Sequence, residues 1–332
     1  MAKRRLFILF IFLVGISALL FLFLYKKKPP ASPVTAFPTP QIPVLLKGEY
    51  SVELSVDEGA FGALPGSSPL LERKAAQLGR EEIVSIAKKL GFANDPLEAS
   101  DVLSGSVFIF SGAKSSFVAT PKTATMDYTL NELPAALNKQ LSDESIKKIA
   151  RDFLVNSGFF GSEEIVFGEL LFLRETPGEG FYPTSRAAAS FYQVNFYPKA
   201  AGRTVLKLSP QDPLIGVRVL PDGEVFSGHV VRIGTLSESS QEYQLKNYKE
   251  FSAEINKAII VSLDEGNLYL PDLPEGAIKR VSIKDAELSF LLESVASPVL
   301  QPIYLLLGTA EVVGYSSPVS VSLYLPAISS SN

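Results

Sequence analysis

An apolar run near the start of the chain constrains its fold more than any other feature. Leu6 to Leu24 are 19 consecutive positions that are apolar except for Gly15 and Ser17. At about 1.5 Å of rise per residue, a helix of this length spans roughly 28 Å, which matches the hydrocarbon core of a bilayer. The run therefore predicts a transmembrane helix that contacts the membrane lipid bilayer through residues 6–24.

Basic residues flank this run on both sides, at positions 3–5 and 26–28. Long cationic side chains at these positions can reach lipid head groups. A cleaved signal peptide has a shorter apolar run and a small-residue cleavage site, so cleavage near Ala31 or Ala36 is the alternative reading. We interpret residues 1–28 as a cytoplasmic stub and an uncleaved signal anchor. This predicts a single-pass cell-membrane protein with a cytoplasmic N-terminus and an extracytoplasmic remainder, an orientation taken from position because the flanking charges tie.

Composition narrows the kinds of segment, partner and chemistry that are possible for the rest of the chain. Six prolines lie between residues 29 and 43, which predicts a semi-rigid stalk over residues 29–46. Six of the 31 basic residues and none of the 35 acidic residues fall within the first 28 positions. The rest of the chain is therefore acidic, and nucleic acid is not an expected partner. Because the chain has no cysteine, a cysteine nucleophile, a thiolate metal site and a CxxC pair are excluded.

Hydrophobic periodicity predicts three helices, over about residues 80–90, 142–158 and 247–258. Each helix is followed by alternating or β-branched segments typical of strands. We therefore predict an α+β fold in which an N-terminal transmembrane helix precedes an ectodomain of repeated units, each a helix plus an antiparallel sheet. The predicted boundaries are a first α+β unit over 47–135, a larger α+β region over 136–326 that contains one or two units, and a tail over 327–332.

The C-terminal part resembles a known family. It has the pattern Val281-x-Ile283-x-x-Ala286-x-Leu288, followed by Leu300-Gln301-Pro302-Ile303-Tyr304 and Gly308. With the stub, the membrane helix and the strand-turn-strand stretch over 192–231, this pattern is similar to the YycH/YycI family, whose units are PepSY-like. The resemblance covers roughly residues 75–326. It implies a non-catalytic extracytoplasmic protein that binds another protein and regulates a sensor kinase of the bacterial envelope.

Residues able to carry chemistry are few. His229 is the single histidine, so a serine–histidine–aspartate site would have to use it, and a strand histidine that faces solvent or a neighbour is the simpler reading. Two acidic groups, Asp95/Glu98/Asp101 and Asp264/Glu265/Asp272, offer oxygen ligands that Ca²⁺ takes, but neither matches a calcium loop. No catalytic, cofactor-binding or metal-binding residue is therefore assigned, and no cofactor is expected.

Aromatic residues are unusually dense between residues 181 and 197. On strands, such side chains can form an exposed stacking surface for a peptide or a glycan, and they can equally pack a sheet against its helix. If the surface is exposed, the residues predicted to contact a partner are Phe191, Tyr192, Phe196 and Tyr197.

These observations favour a function in binding. We expect a membrane-anchored, extracytoplasmic, non-catalytic protein that binds a protein or peptide partner at the envelope and regulates a sensor kinase or a wall-synthesis system. Two alternatives stay open. One is a glycan-binding structural or adhesion module, and the other is an envelope hydrolase that uses carboxylates such as Glu163 or Glu164.

Overall fold

The computed structural model of the chain describes most positions from residue 50 onward. The described residues are 42, 44, 50–56, 58–101, 105–132, 141–160, 164–176, 180–208, 213–294 and 296–329. They all fall within one compact unit, Thr39–Ser331. The predicted anchor over 6–24 and nearly all of the predicted stalk lie outside the described residues.

Strands dominate the described residues, and the helices among them are short. The helices are α1 (Glu58–Gly62), α2 (Arg80–Lys89), α3 (Asp143–Ser157) and α4 (Tyr248–Glu254). The strands are β1 (Ser51–Leu54), β2 (Ser67–Lys74), β3 (Leu97–Asp101), β4 (Gly105–Ser111), β5 (Ser115–Thr120), β6 (Thr125–Leu130), β7 (Ile165–Thr176), β8 (Gly180–Pro183), β9 (Phe191–Ala200), β10 (Arg203–Leu206), β11 (Ile215–Val219), β12 (Val225–Val231), β13 (Thr235–Gln244), β14 (Ile259–Leu263), β15 (Ile278–Leu291), β16 (Val299–Val312) and β17 (Val319–Pro326).

Nine of these strands form one antiparallel sheet, in the order β3-β4-β5-β6-β12-β11-β9-β7-β8. We call β3 to β6 the first run and β7, β9, β11 and β12 the second run. In each run the strands pair in chain order, and each run follows a helix, α2 or α3. The runs join where β6 pairs with β12. Strands from the two parts of the chain therefore form one continuous sheet.

A five-stranded sheet has the order β14-β17-β16-β15-β1. Its pairs are antiparallel except for β1 with β15. Strand β10 pairs with both β9 and β15, and β2 pairs with both β13 and β16. These shared strands connect the two sheets into one large mixed β network.

Apolar side chains pack on both faces of the nine-stranded sheet. Ile83 of α2 and Ile146 of α3 belong to a cluster on one face of the nine-stranded sheet. Helix α3 approaches β12 closely at Gly228, where a Cβ atom would lie 2.5 Å from Cε1 of Phe153. On the other face, Tyr197 of β9 and Tyr324 of β17 share a cluster between the two sheets. Strand β9 is consequently buried on both faces along nearly its whole length.

Local sequence signals account for the helix ends. The Ser142 side chain accepts a hydrogen bond from the Ser145 N–H, and Gly158 ends α3 in the left-handed region with φ 76°. Asn247 and Glu250 form a capping box at the start of α4. The predicted positions of these helices are confirmed, because capping depends on residues within one turn of the helix end.

The predicted architecture of repeated helix-plus-sheet units is wrong. Most of the described chain forms a large mixed β network, and the two runs share one sheet and one apolar cluster instead of forming separate units. After α4 the strand order also changes, because β14 pairs with β17 and not with β15. Periodicity identified strands along the chain, but the pairing of their edges depends on residues far apart in sequence.

The predicted single-pass membrane localisation is also corrected. Among the described residues, no helix is both long and apolar enough to cross a membrane. The transmembrane, signal-anchor and membrane assignments are therefore not supported by the described residues, and the apolar run over 6–24 on which they depend lies outside those residues.

Candidate functional site

The four aromatic residues predicted to contact a partner do not form an exposed surface. Phe191, Tyr192, Phe196 and Tyr197 are all buried in β9. Tyr192 and Phe196 pack in the cluster under α2 and α3, and Phe191 and Tyr197 pack on the opposite face. Because β9 is a central strand covered on both sides, its aromatic side chains form core on each face.

The other candidate residues are dispersed. His229 of β12 lies directly opposite Asp127 of β6, and its Nδ1 is 2.7 Å from Asp127 Oδ1. The expectation of a strand histidine that faces a neighbour is confirmed. Glu164 pairs with Lys199 at 2.9 Å, and Glu163 lies outside the described residues.

The predicted acidic groups do not converge. Glu98 lies in β3 and pairs with Arg80, whereas Asp95 precedes that strand. Asp264 and Glu265 lie in a tight turn after β14. Within the part of the chain that the structure describes, no three acidic or histidine side chains are placed to hold a metal ion.

The first strands of the two runs differ at their outer edges. β7 is covered. β8 pairs with it over Leu173–Thr176, and the Asn267 side chain binds the backbone just before that point. Asn267 Oδ1 accepts from the Phe172 N–H at 2.7 Å, and its Nδ2 donates to the Leu170 carbonyl at 3.4 Å. From Leu170 to Thr176, this edge is thereby covered by the protein itself.

β3 occupies the equivalent position in the first run, and no strand among the described residues covers its outer edge. Among the described residues β3 pairs with β4 alone. The side chains from Leu97 to Ser100 are exposed, and Leu97 has a relative exposure of 69%. An exposed leucine on an unpaired strand edge is unusual, because such edges invite pairing with another chain.

A half-exposed face extends from this edge across the first run. Register pairs Leu97 with Ile109, Ile109 with Val118, and Val118 with Asp127, so these side chains form one row that ends at the Asp127–His229 pair. Ile109, Val118, Asp127 and His229 are all partly exposed. The row therefore changes from apolar at the edge to polar at the middle of the sheet.

On the second run, the same face carries a chain of polar side chains. Arg218 Nε donates to Gln193 Oε1 at 2.9 Å, and Gln193 Nε2 donates to Asn195 Oδ1 at 3.0 Å. Asn195 Nδ2 donates to Glu169 at 3.2 Å, and the Tyr197 hydroxyl lies 2.5 and 2.6 Å from the two Glu169 carboxylate oxygens. Each side chain of this polar network thus has a hydrogen-bond partner within the network.

Burial is the main cause of the pKa shifts in this polar network. It raises the pKa of Glu169, and the nearby Glu265 carboxylate adds to the rise, whereas the hydrogen bonds from Tyr197 and Asn195 oppose it. Burial also raises the pKa of Tyr197 well above its ordinary value and lowers that of Arg218. These shifts follow because a charged form is less stable away from water.

Sequence reasoning missed Glu169, Asn195 and Gln193. The available signal was Gly168-Glu169, a small residue and a charge that interrupt the apolar segment over residues 165–173. The structure has a register shift in β7 between Phe167 and Leu170, where the extra residue turns Glu169 toward Tyr197. An interruption of this kind predicts a bulge, but it does not identify the residues on other strands that contact the bulged glutamate.

Comparisons with known proteins give no family. No protein-family model and no curated protein matches the chain. A solved structure of an uncharacterized protein from Eubacterium rectale ATCC 33656 shares 11% identity and has a TM-score of 0.42. That match covers 78% of this chain and 82% of the other, and at this TM-score it carries no functional inference. The YycH/YycI resemblance stays a prediction.

Proposed function

We propose that this protein acts by binding, and that it takes up an extended segment of a partner protein as an additional strand beside β3. The observation that carries the proposal is the difference between equivalent edges: β7 is covered by β8 and Asn267, whereas β3 pairs with β4 alone among the described residues. In strand addition, backbone hydrogen bonds supply affinity and alternate side chains supply specificity.

The side chains of β3 define the chemistry of the partner segment. Leu97 shares the half-exposed face with Ile109, so a partner side chain on this face meets an apolar surface. Glu98 points to the opposite face, where it pairs with Arg80. Successive residues of a strand point to opposite faces. The segment that fits therefore alternates apolar side chains with basic side chains that can bind the Glu98 carboxylate.

β13 is also an edge strand, and it offers different chemistry. Among the described residues it pairs with β2 alone, and its exposed side chains are all polar or charged. Polar side chains on an edge discourage pairing with other chains. The exposed Leu97 is what favours β3 as the binding edge and β13 as a reference edge.

The test uses an acetylated and amidated peptide that alternates lysine and valine. We expect the peptide to protect the amides of β3 from hydrogen exchange in the full-length protein, without protecting those of β13. A peptide with the same side chains and N-methyl groups on alternate amides should not bind, because it cannot complete the strand hydrogen bonds.

Matched variants sharpen this test. Leu97→Ser removes the apolar contact and should weaken peptide affinity about tenfold, as expected for the loss of one buried leucine side chain. Val313→Ser removes an exposed apolar side chain elsewhere, on the turn after β16, and should leave affinity unchanged. Equal binding of the N-methylated peptide, protection confined to β13, or no protection at all would each overturn the proposal.

A further inference from the structure

Arg218 of β11 lies on the half-exposed face of the nine-stranded sheet, beside an apolar cluster. Its guanidinium carbon is 4.1 Å from the centroid of the Phe181 ring. The Phe181 ring packs against Phe191 and Phe226, with centroid separations of 5.2 and 6.3 Å. Phe226 is the extra residue that β12 contains where its register with β11 shifts. This bulge therefore helps to support the ring on which the guanidinium rests.

A hydrogen bond fixes the direction of the same guanidinium group. Its Nε donates to Gln193 Oε1 at 2.9 Å, and the buried Gln193 side chain is held in turn by Asn195. Because Nε is already bonded, the remaining donors of the group are those on its two Nη atoms. Among the described residues, neither Nη atom has a hydrogen-bond acceptor, and no carboxylate forms an ion pair with Arg218.

Two other arginines show what completes an arrangement of this kind. Arg80 lies over an aromatic ring, 5.6 Å from its centroid, and pairs with Glu98. Arg186 lies over another ring at 5.3 Å and pairs with Asp143. Arg218 is closer to its ring than either of them. In the described part of the chain, however, it lacks the carboxylate that the other two bind.

The charge of Arg218 is therefore not compensated by the described residues. Burial lowers the pKa of Arg218, because a cation is less stable away from water unless an anion or acceptors replace the solvent. Two carboxylates on the same face have other positions. Asp127 pairs with His229, and Glu175, which lies opposite Phe181 in register, is exposed and forms no ion pair with Arg218. An anion from outside the chain can supply the compensating charge.

We propose that Arg218 binds the carboxylate group of a small organic acid, with hydrogen bonds from its two Nη atoms to the two carboxylate oxygens. The planar guanidinium matches a carboxylate in this paired geometry. Phe181 supports the group from one side, and Gln193 holds Nε. Since one guanidinium carries one charge, a monocarboxylate is a better match than a dianion such as phosphate. The site is independent of partner binding at β3, because it uses no residue of the first run.

The test titrates sodium acetate into the full-length protein at constant ionic strength and follows the NMR signal of the Gln193 side-chain amide. We expect a saturable shift of this signal with acetate. Acetamide, which has nearly the same shape and no charge, should produce no saturable shift. Inorganic phosphate, at a pH at which it is a dianion, should bind more weakly than acetate.

Three variants locate the binding. Arg218→Lys should weaken acetate affinity about tenfold, because an ammonium group cannot form the paired hydrogen bonds. Phe181→Leu keeps an apolar side chain in the cluster but removes the ring, and it should weaken affinity about threefold. Arg203→Lys is the matched control and should leave affinity unchanged. Arg203 is also partly buried and lies over a ring, 5.8 Å from the Phe290 centroid.

Equal responses to acetate and acetamide, or no saturable response to acetate, would overturn the proposal. Unchanged affinity in Arg218→Lys would also overturn it, as would an equal loss of affinity in Arg203→Lys. Tighter binding of phosphate than of acetate would contradict the assignment of a carboxylate ligand. If Arg218→Lys fails to fold, Phe181→Leu decides the question, and wild-type affinity in that variant would count against the site.

Discussion

The first and second runs of the nine-stranded sheet have the same succession, a helix followed by four strands that pair in chain order, yet they have different surroundings. The second run is covered on its outer edge by β8 and Asn267 and on one face by the five-stranded sheet. In the described part of the chain, the first run has no strand on the outer edge of β3, and one of its faces is half-exposed. The difference arises from β8, which follows β7 directly, and from β14 and β17, which share an apolar cluster with β9 of the second run.

Polar side chains on the two runs differ accordingly. On the first run, Asp127 and His229 form a partly exposed pair. On the second run, Gln193 and Asn195 are buried and connect Arg218 to Glu169. The same face of the sheet is therefore a partly exposed surface in the first run and a buried polar network in the second run. Substitutions in each run can measure how separate the two runs are.

The largest expected effect is that of Phe117→Ala. Phe117 of the first run is fully buried, and its ring centroid lies 5.8 Å from that of Phe159, which precedes the second run. Loss of this side chain should reduce the free energy of unfolding by about 3–5 kcal/mol. Because the two runs share one cluster, urea unfolding followed by hydrogen exchange should show both runs losing protection together. Loss of stability confined to the first run would show that the cores are separate.

The next effect is that of Gly168→Ala in the β7 bulge. The added methyl group meets the Tyr197 ring, so we expect a loss of about 1–3 kcal/mol from overpacking. Gly66→Ala is the control, because nothing lies within 4 Å of the position that its Cβ would occupy. Urea denaturation of both variants measures the difference, and equal midpoints would contradict the packing at Tyr197.

A smaller effect concerns the pH dependence of stability. The folded protein raises the pKa of Glu169 through burial, so the folded state binds this proton more tightly than the unfolded state does. The resulting stabilisation is complete below the ordinary glutamate pKa and is lost as pH rises through the raised value. Glu169→Gln should remove this decline, and urea midpoints measured across acidic to neutral pH would show it. A decline of the same size in the variant would assign it to another group.

The smallest effect is expected at the edge of the first run. Glu98 and Arg80 are both exposed and pair at the surface. Exposed ion pairs contribute at most about 1 kcal/mol, so Glu98→Gln should change the unfolding midpoint little. The same variant should weaken binding of the lysine–valine peptide if the partner's basic side chains meet Glu98. A large loss of stability would mean that β3 is held by this pair and is not a free edge.

Much of the local structure could be predicted from the sequence. Ser142, Gly158 and the periodic apolar residues between them define α3, because the hydrogen bonds and contacts that make a helix lie within a few residues. Residues 221–223 turn the chain between β11 and β12, and Gly223 has φ 97°. The candidate site could not be predicted in this way. Glu169 contacts Asn195 and Tyr197 across strands, and the position of Leu97 at an edge depends on which strands pair.

The sequence by itself determined where helices and most strands lie, how the helices are capped, and that no cysteine chemistry is available. Only the tertiary structure decided which strand edges pair, which face of each run is covered, and that the aromatic residues of β9 are core. The physical reason is the range of the interactions. Capping and periodicity act within one or two turns, whereas burial and edge pairing depend on strands such as β14 and β17, which reach the second run from distant parts of the chain.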